Sequence, residues 1–280
     1  MSREVALRSI EAVDKFIQQT SVLCNRCEHK PSVGSQAMKE LSEFPRSESI
    51  GTAYSQGTIL IEVAADYVFA VIRTLTEPGQ SIAPRACARC CLETSALSMW
   101  LLDTKINAEE RVKRSLAFRY EGFEQQAKFA QATKGAIYPQ QIVSRIDQVE
   151  QVALGLGFEK VNDSKGKRIG TGQKMPSVTQ IVIDMLDKEE NYRILSAMVH
   201  AHPWALQHFG FIKTQSNQMI FENVRGAYFE KHISSDSIVF LCVEAVTDLF
   251  QALLMNFNLF GWNTKPLATA ANRAIKQIKF

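Results

Sequence analysis

The chain contains, at residues 238–259, the apolar run IVFLCVEAVTDLFQALLMNFNL, in which only Glu244 and Asp248 are charged. A second apolar run, TILIEVAADYVFAVIRTL, occupies residues 58–75 and also contains charged side chains. Because a charge at the centre of a bilayer costs about 2.5–3.5 kcal/mol, both runs favour helices buried in protein over membrane spans. We therefore expect a core built from helices and no association with a membrane.

Weaker helical patterns surround these two runs. Pro84 suits the first turn of a helix, and Asn107 and Ser177 each precede a Glu or Gln by three residues, as in a capping box. About eight helices joined by short links, with no internal repeat, predict an all-α fold that forms one multi-helix bundle over residues 1–280.

Two segments depart from the helical pattern. Residues 157–175 combine glycines with lysines, which predicts a long basic loop. Residues 211–232 mix polar and aromatic side chains with partial alternation, which predicts an irregular insert or a small hairpin.

The composition is that of an ordinary soluble protein, with 46% hydrophobic and 22% charged residues. The 32 Lys and Arg nearly balance the 29 Asp and Glu, so any basic patch must be local. Charges such as Arg3 and Glu4 interrupt the apolar stretch that a secretory signal needs, which predicts a cytoplasmic protein.

Metal and cofactor motifs are scarce. Two Cys-x-x-Cys pairs, at 24–27 and 87–90, could supply a zinc site, but about sixty residues separate them, so we favour reduced thiols. The late histidines lack the spacing of known zinc or di-iron motifs, and no nucleotide-binding glycine pattern occurs. We expect neither a metal nor a cofactor.

The segment NYRILSAMVHAHPW, at residues 191–204, carries the clearest chemical signal. Arg193, Ser196 and His200 are spaced by three and then four residues, which places them along one stripe of a helix. Arginine presents a planar fork to phosphate oxygens, and histidine exchanges a proton near neutral pH. These three residues are the predicted catalytic group.

Further polar residues interrupt apolar helices at helical spacing, and the first such pair is Glu62 and Asp66. The second set is Arg85, Arg89 and Glu93. Because a buried ion needs a partner, we expect these stripes to face one another and to join Arg193 and His200. Such a network is either a structural clasp or the lining of a polar cavity.

The basic loop provides the predicted phosphate contacts, Lys165, Lys167, Arg168 and Lys174. Arg273, Lys276 and Lys279, near the C-terminus, are further candidates. The alternative for all of these cations is ordinary solvated surface.

The Arg193 to His200 segment resembles the Arg-x4-6-His motif of the HEPN superfamily, helical bundles that include metal-independent ribonucleases and toxin or phage-defence proteins. The residue after the arginine, often polar in that superfamily, is Ile194 here. The resemblance implies that Arg193 holds the scissile phosphate, that His200 acts as acid or base on a ribose hydroxyl, and that two copies form a homodimer.

Two longer segments resemble uncharacterised bacterial helical proteins, a family that implies no function. The matching residues are Arg89, Glu93, Trp100, Leu101 and Asp103 in the first segment and Tyr192, Arg193, Leu195, Ser196 and His200 in the second.

Two functions therefore remain open. The first is an RNA-cleaving or phosphate-binding helical protein with a water-accessible site at Arg193 and His200. The second is a non-catalytic interaction module in which the same polar residues lock helices together.

Overall fold

The computed structural model describes residues 3–28, 30–76, 80–133, 139–221 and 224–279. The all-α prediction is confirmed, since the described residues form eleven helices. These are α1 (Arg3–Arg26), α2 (Gln36–Glu43), α3 (Ser47–Leu75), α4 (Ala83–Leu102), α5 (Ala108–Ala132), α6 (Pro139–Gly155), α7 (Val178–Leu186), α8 (Glu189–Val199), α9 (Pro203–Ala205), α10 (Ser235–Phe260) and α11 (Lys265–Lys279).

Helix α10 contains the apolar run and lies in the core, where it packs against α1, α3, α4 and α11. It is the one helix among the described residues with the length and apolarity to cross a membrane. Its side chains Leu249 and Phe257 are fully enclosed by neighbouring helices. The burial of apolar area around α10 is the main source of stability for the bundle.

Helices α3 and α4 pack closely because Gly57 has no side chain. A Cβ atom at this position would overlap the side chain of Leu102. The backbones approach so closely that the Ser98 hydroxyl donates to the Gly57 carbonyl at 2.8 Å. This contact fixes the position of α4, which carries Arg85, Arg89 and Glu93.

The predicted caps are present at two helices. The Asn107 side chain accepts a hydrogen bond from the Glu110 amide at 2.8 Å, and α5 begins at the next residue. The Ser177 hydroxyl accepts from the Gln180 amide at 3.2 Å, and α7 follows it.

The prediction of a loop at 157–175 is wrong. The segment forms a three-stranded antiparallel sheet of β1 (Lys160–Asn162), β2 (Arg168–Thr171) and β3 (Gln173–Lys174). Gly166 and Gly172, with φ of 75° and 72°, supply the left-handed residues of its two tight turns. The glycines thus mark turns between very short strands.

The segment at 211–232 forms a hairpin, which is one of the two structures predicted for it. Strands β4 (Phe211–Phe221) and β5 (Val224–Lys231) pair antiparallel. A short π-helical turn at Leu206–Gly210 joins the hairpin to α9. The hairpin contacts the bundle mainly through this turn.

Candidate functional site

Arg193 and His200 do not form a joint site. The Arg193 side chain is 67% exposed, and its Nε and Nη2 donate to Glu189 Oε1 at 2.8 and 2.6 Å. His200 follows the last residue of α8, whereas Glu189 is the first residue of that helix. The side chains therefore diverge from the predicted common stripe, because the long Arg193 side chain turns toward the start of α8 whereas His200 lies just beyond its end.

Ser196 is half-buried, and its carbonyl accepts from the His200 amide at 3.0 Å. No hydrogen bond of its hydroxyl is found within the described part of the chain. Ser196 therefore shapes the end of α8 through its backbone.

The guanidinium that meets His200 belongs to Arg89 on α4. Arg89 Nη1 lies 3.4 Å from His200 Nε2, and Nη2 donates to the Tyr192 hydroxyl at 3.4 Å. Glu93, one turn along α4, pairs with Arg89 Nη2 at 3.0 Å. These four residues, Arg89, Glu93, Tyr192 and His200, form what we term the Arg89 cluster.

The Arg89 cluster is half-buried and open to water on the side of His200, which is exposed. The Arg89 side chain is 19% exposed and lies over the Tyr192 ring, with its Cζ 5.4 Å from the ring centroid. Burial alone would lower the pKa of Arg89, but Tyr192 and Glu93 more than offset this and raise it. The site therefore keeps a permanent positive charge beside an accessible imidazole.

A second imidazole lies next to the cluster. The ring centroids of His200 and His202 are 6.3 Å apart. The chain reverses between them because Ala201 adopts a left-handed conformation with φ of 54°. The His202 amide then donates to the Ala197 carbonyl at 2.9 Å, and the Ala201 amide donates to Met198 at 3.2 Å, which is a Schellman ending of α8.

Exposed aromatic side chains continue from this turn. Trp204 is 49% exposed and packs edge-on against Phe209, with ring centroids 6.5 Å apart. Both residues belong to the α9 and π-helical turn that follows His202. A planar ligand such as a nucleobase can stack on a surface of this kind.

The other predicted polar residues do not join the cluster. Glu62 and Asp66 are exposed on α3, so the expectation that they face Arg89 is wrong. Arg85 is buried one turn before Arg89 and donates to the Ser81 carbonyl. Burial lowers the pKa of Arg85. Of the predicted network, the structure brings together Arg89, Glu93 and His200.

The four predicted phosphate contacts lie in different surroundings on the sheet. Arg168 forms an ion pair with Glu150 of α6. Lys165, Lys167 and Lys174 are exposed on strands or turns that pack chiefly against α5 and α6. The basic segment is therefore not part of the Arg89 cluster.

A partly buried group of charges next to α8 was not predicted. Lys188 Nζ donates to Asp248 Oδ1 at 2.6 Å and to Glu244 Oε2 at 2.8 Å. The two acidic residues were noted only as charges that exclude a membrane span. Their spacing of four residues on an apolar helix was the signal that a cation from another helix would face them.

No group of three metal-binding side chains occurs within the described ranges. The six cysteines are free. Burial raises the pKa of the Cys24 thiol to about 12, with a smaller contribution from Glu62, which keeps this side chain protonated. The Arg89 cluster itself offers a guanidinium, a carboxylate, a phenol and an imidazole.

Comparison with known proteins identifies one family. The sequence model of DUF5677, described as a family of unknown function, matches residues 68–219, which is more than half of the chain. The matched region contains all of the Arg89 cluster, and it includes both segments that resemble bacterial helical proteins. No curated protein and no solved structure matches the chain.

Proposed function

Since the chain belongs to DUF5677, a family of unknown function, we propose from the geometry of the site that it binds a phosphodiester of RNA at the Arg89 cluster and cleaves it without a metal ion. The observation that carries this proposal is the approach of Arg89 Nη1 to His200 Nε2, at 3.4 Å on an open surface. Arginine and protonated histidine both donate hydrogen bonds, so one phosphate group can accept from both.

The protein side chains have separate roles in the proposed reaction. Arg89 binds the non-bridging phosphate oxygens and stabilises the negative charge that grows on them. One imidazole of the His200 and His202 pair removes the proton from the ribose 2′-hydroxyl, whose oxygen forms a bond to phosphorus. The other imidazole protonates the 5′-oxygen as its bond to phosphorus breaks, which leaves a 2′,3′-cyclic phosphate and a 5′-hydroxyl.

Glu93 and Tyr192 position Arg89. They bind Nη2 at 3.0 and 3.4 Å, which orients the other side of the guanidinium toward His200. The choice of RNA rests on the 2′-hydroxyl that this reaction needs and on the exposed Trp204, and the resemblance to the HEPN superfamily contributes only its histidine, because Arg193 pairs with Glu189 and not with His200. That resemblance also extends the proposal to a homodimer, which the mass in solution tests.

The two arginines provide a matched test. We expect Arg89→Ala to lower the cleavage of a labelled single-stranded RNA by about 100-fold or more, because it removes the charge that stabilises the transition state. Arg193→Ala should cleave at the wild-type rate, since Arg193 forms its ion pair with Glu189 and not with a residue of the Arg89 cluster. His200→Ala should be inactive with an unchanged circular-dichroism spectrum, and wild-type activity should persist in EDTA.

A wild-type protein that cleaves no RNA, or an Arg193→Ala variant that is as damaged as Arg89→Ala, contradicts the proposal. Binding measurements with a non-cleavable 2′-deoxy oligonucleotide separate recognition from chemistry. His200→Ala should retain most of that binding, whereas Arg89→Ala should weaken it.

A non-catalytic interaction module is the second candidate. It is favoured by the bridge that Arg89 makes from α4 to Tyr192 of α8, because this contact can hold the two helices together without any reaction. In that case Arg89→Ala lowers the melting temperature strongly, and no RNA is cleaved by the wild-type protein.

A further inference from the structure

A surface groove of about 720 Å³ lies between α1 and α11. One face of α1, from Lys15 to Arg26, forms one wall, and α11 from Lys265 to Arg273 forms the other. At a rise of about 1.5 Å per residue, the α1 wall is about 16 Å long, which is the length of three helical turns. The groove shares no residue with the Arg89 cluster, which lies on α4 and at α8.

The groove is lined by positive charges without acidic residues. Its ionisable side chains are Lys15, Arg26, Lys265 and Arg273. Lys15 pairs with Glu11 at 2.6 Å, whereas the other three have no ion pair with any residue that the structure describes. Three of the four cations that line the groove therefore lack an acidic partner among the described residues, which favours a negatively charged occupant.

The floor of the groove is partly apolar, and the lining also includes the polar side chains of Gln18, Gln19 and Thr269. The floor contains Val22, which is 49% exposed, together with Leu23, Pro266 and Ala270. An inorganic anion would not cover the apolar side chains of this floor. A single-stranded nucleic acid stacks its bases on aromatic side chains, and the lining residues include none. A membrane surface is flat and would not fill a concave groove. The occupant therefore needs both an apolar stripe and acidic edges.

We propose that the groove binds an acidic amphipathic helix of a partner protein, about three turns long. Apolar residues at positions i, i+3, i+4 and i+7 of that helix cover Val22 and Ala270, in the manner of a helix that binds a hydrophobic groove. Glu or Asp on the two edges of the helix pair with Arg26 on one wall and with Arg273 on the other. This surface is independent of the RNA proposal and lies outside the residues that match the family.

The test uses three synthetic helix-forming peptides of fourteen residues, with binding to the full chain followed by fluorescence anisotropy. The first has a leucine stripe with glutamate edges, the second has the same composition in scrambled order, and the third has lysine edges. We expect the first to bind at least tenfold more tightly than the other two and to weaken as salt is added. Charge reversal by Arg26→Glu with Arg273→Glu should abolish its binding and create binding of the lysine peptide.

Lys276→Glu is the matched control, because Lys276 is an exposed cation of α11 that does not line the groove. It should bind the glutamate peptide as the wild type does. Equal binding of the ordered and scrambled peptides, an equal loss with Lys276→Glu, or a dissociation constant above about 1 mM contradicts the proposal. The proposal is also contradicted if a single-stranded RNA or an anionic phosphatidylserine vesicle binds through Arg26 and Arg273 while the glutamate peptide does not bind.

Discussion

At the scale of single residues, the Lys188 group shows how a buried charge imbalance is resolved. One ammonium faces two carboxylates, so full ionisation would leave one excess negative charge inside the protein. Burial alone would lower the pKa of Lys188, but Asp248 and Glu244 offset this and raise it, so the ammonium stays charged. Burial raises the pKa of Asp248, the more deeply enclosed acid, to about 6, although Lys188 opposes the change. Asp248 therefore takes up a proton below about pH 6, and above that pH the excess negative charge persists.

This group predicts a stability that falls as the pH rises. Between about pH 4 and pH 6, folded Asp248 holds a proton that the unfolded chain, with its ordinary pKa of 3.8, has lost. The difference amounts to about 3 kcal/mol at most. Urea unfolding of the wild type and of Asp248→Asn should diverge over this interval, with the wild type losing stability relative to the variant as the pH increases.

The stability of Asp248→Asn must be subtracted from that of the wild type at each pH, because other carboxylates change the stability with pH in the opposite direction. Burial would raise the pKa of Glu40, but Arg111 and other hydrogen-bond donors offset this and lower it. Glu40 therefore stabilises the fold at neutral pH, and this contribution is lost as the pH falls. A constant difference between wild type and variant from pH 4 to pH 7 contradicts the assignment to Asp248.

At the scale of elements, α8 and α10 end in the same way with different residues. Trp262 donates to Phe257 at 2.8 Å and Gly261 donates to Asn258 at 3.2 Å, which repeats the bonds that close α8. Gly261 has φ of 70°, and Ala201 occupies the equivalent left-handed position with φ of 54°. An alanine in this conformation costs about 1 kcal/mol that a glycine does not. The strain lies next to the two histidines.

The substitutions Ala201→Gly and Gly261→Ala should change the melting temperature in opposite directions. Ala201→Gly should raise the melting temperature by a few degrees, because it relieves the strained conformation by about 1 kcal/mol. Gly261→Ala should lower it by more, since the added Cβ also crowds the Ser35 side chain. Differential scanning calorimetry measures both changes, and a destabilised Ala201→Gly variant would show that Ala201 is not strained.

The same elements show what the sequence could and could not predict. Helices follow from apolar periodicity and local caps, which is why α10 and the starts of α5 and α7 were found. The partner of His200 was harder to predict, because periodicity gives the face of a helix but not the direction in which a long arginine side chain extends. Arg89 and His200 are 111 residues apart in the chain, and only the packing of α4 on α8 brings them together.

At the scale of the whole molecule, Arg111 joins four helices at one end of the bundle. It is fully buried on α5, and its Nε and Nη2 bind both carboxylate oxygens of Glu40 on α2, at 2.8 and 3.1 Å. The same guanidinium donates to the carbonyls of Leu101 and Asp103 at the end of α4. Tyr54 of α3 donates to Glu40 at 2.7 Å. The hydrogen bonds of this ion pair therefore connect α2, α3, α4 and α5.

Removing one partner of this ion pair should lower the free energy of unfolding far more than removing both partners together. Arg111→Met leaves the Glu40 carboxylate buried without its cation, which should lower the free energy of unfolding by about 3–5 kcal/mol. Glu40→Leu should be similarly harmful, because it leaves the guanidinium unpaired. The double variant should be less destabilised than the sum of the two by more than about 1 kcal/mol, since neither charge then remains. Urea unfolding measures all three, with Lys30→Met, at an exposed pair with Glu28, as the control that should change the midpoint little. Strict additivity of the two single variants would mean that Glu40 and Arg111 do not stabilise the fold through each other.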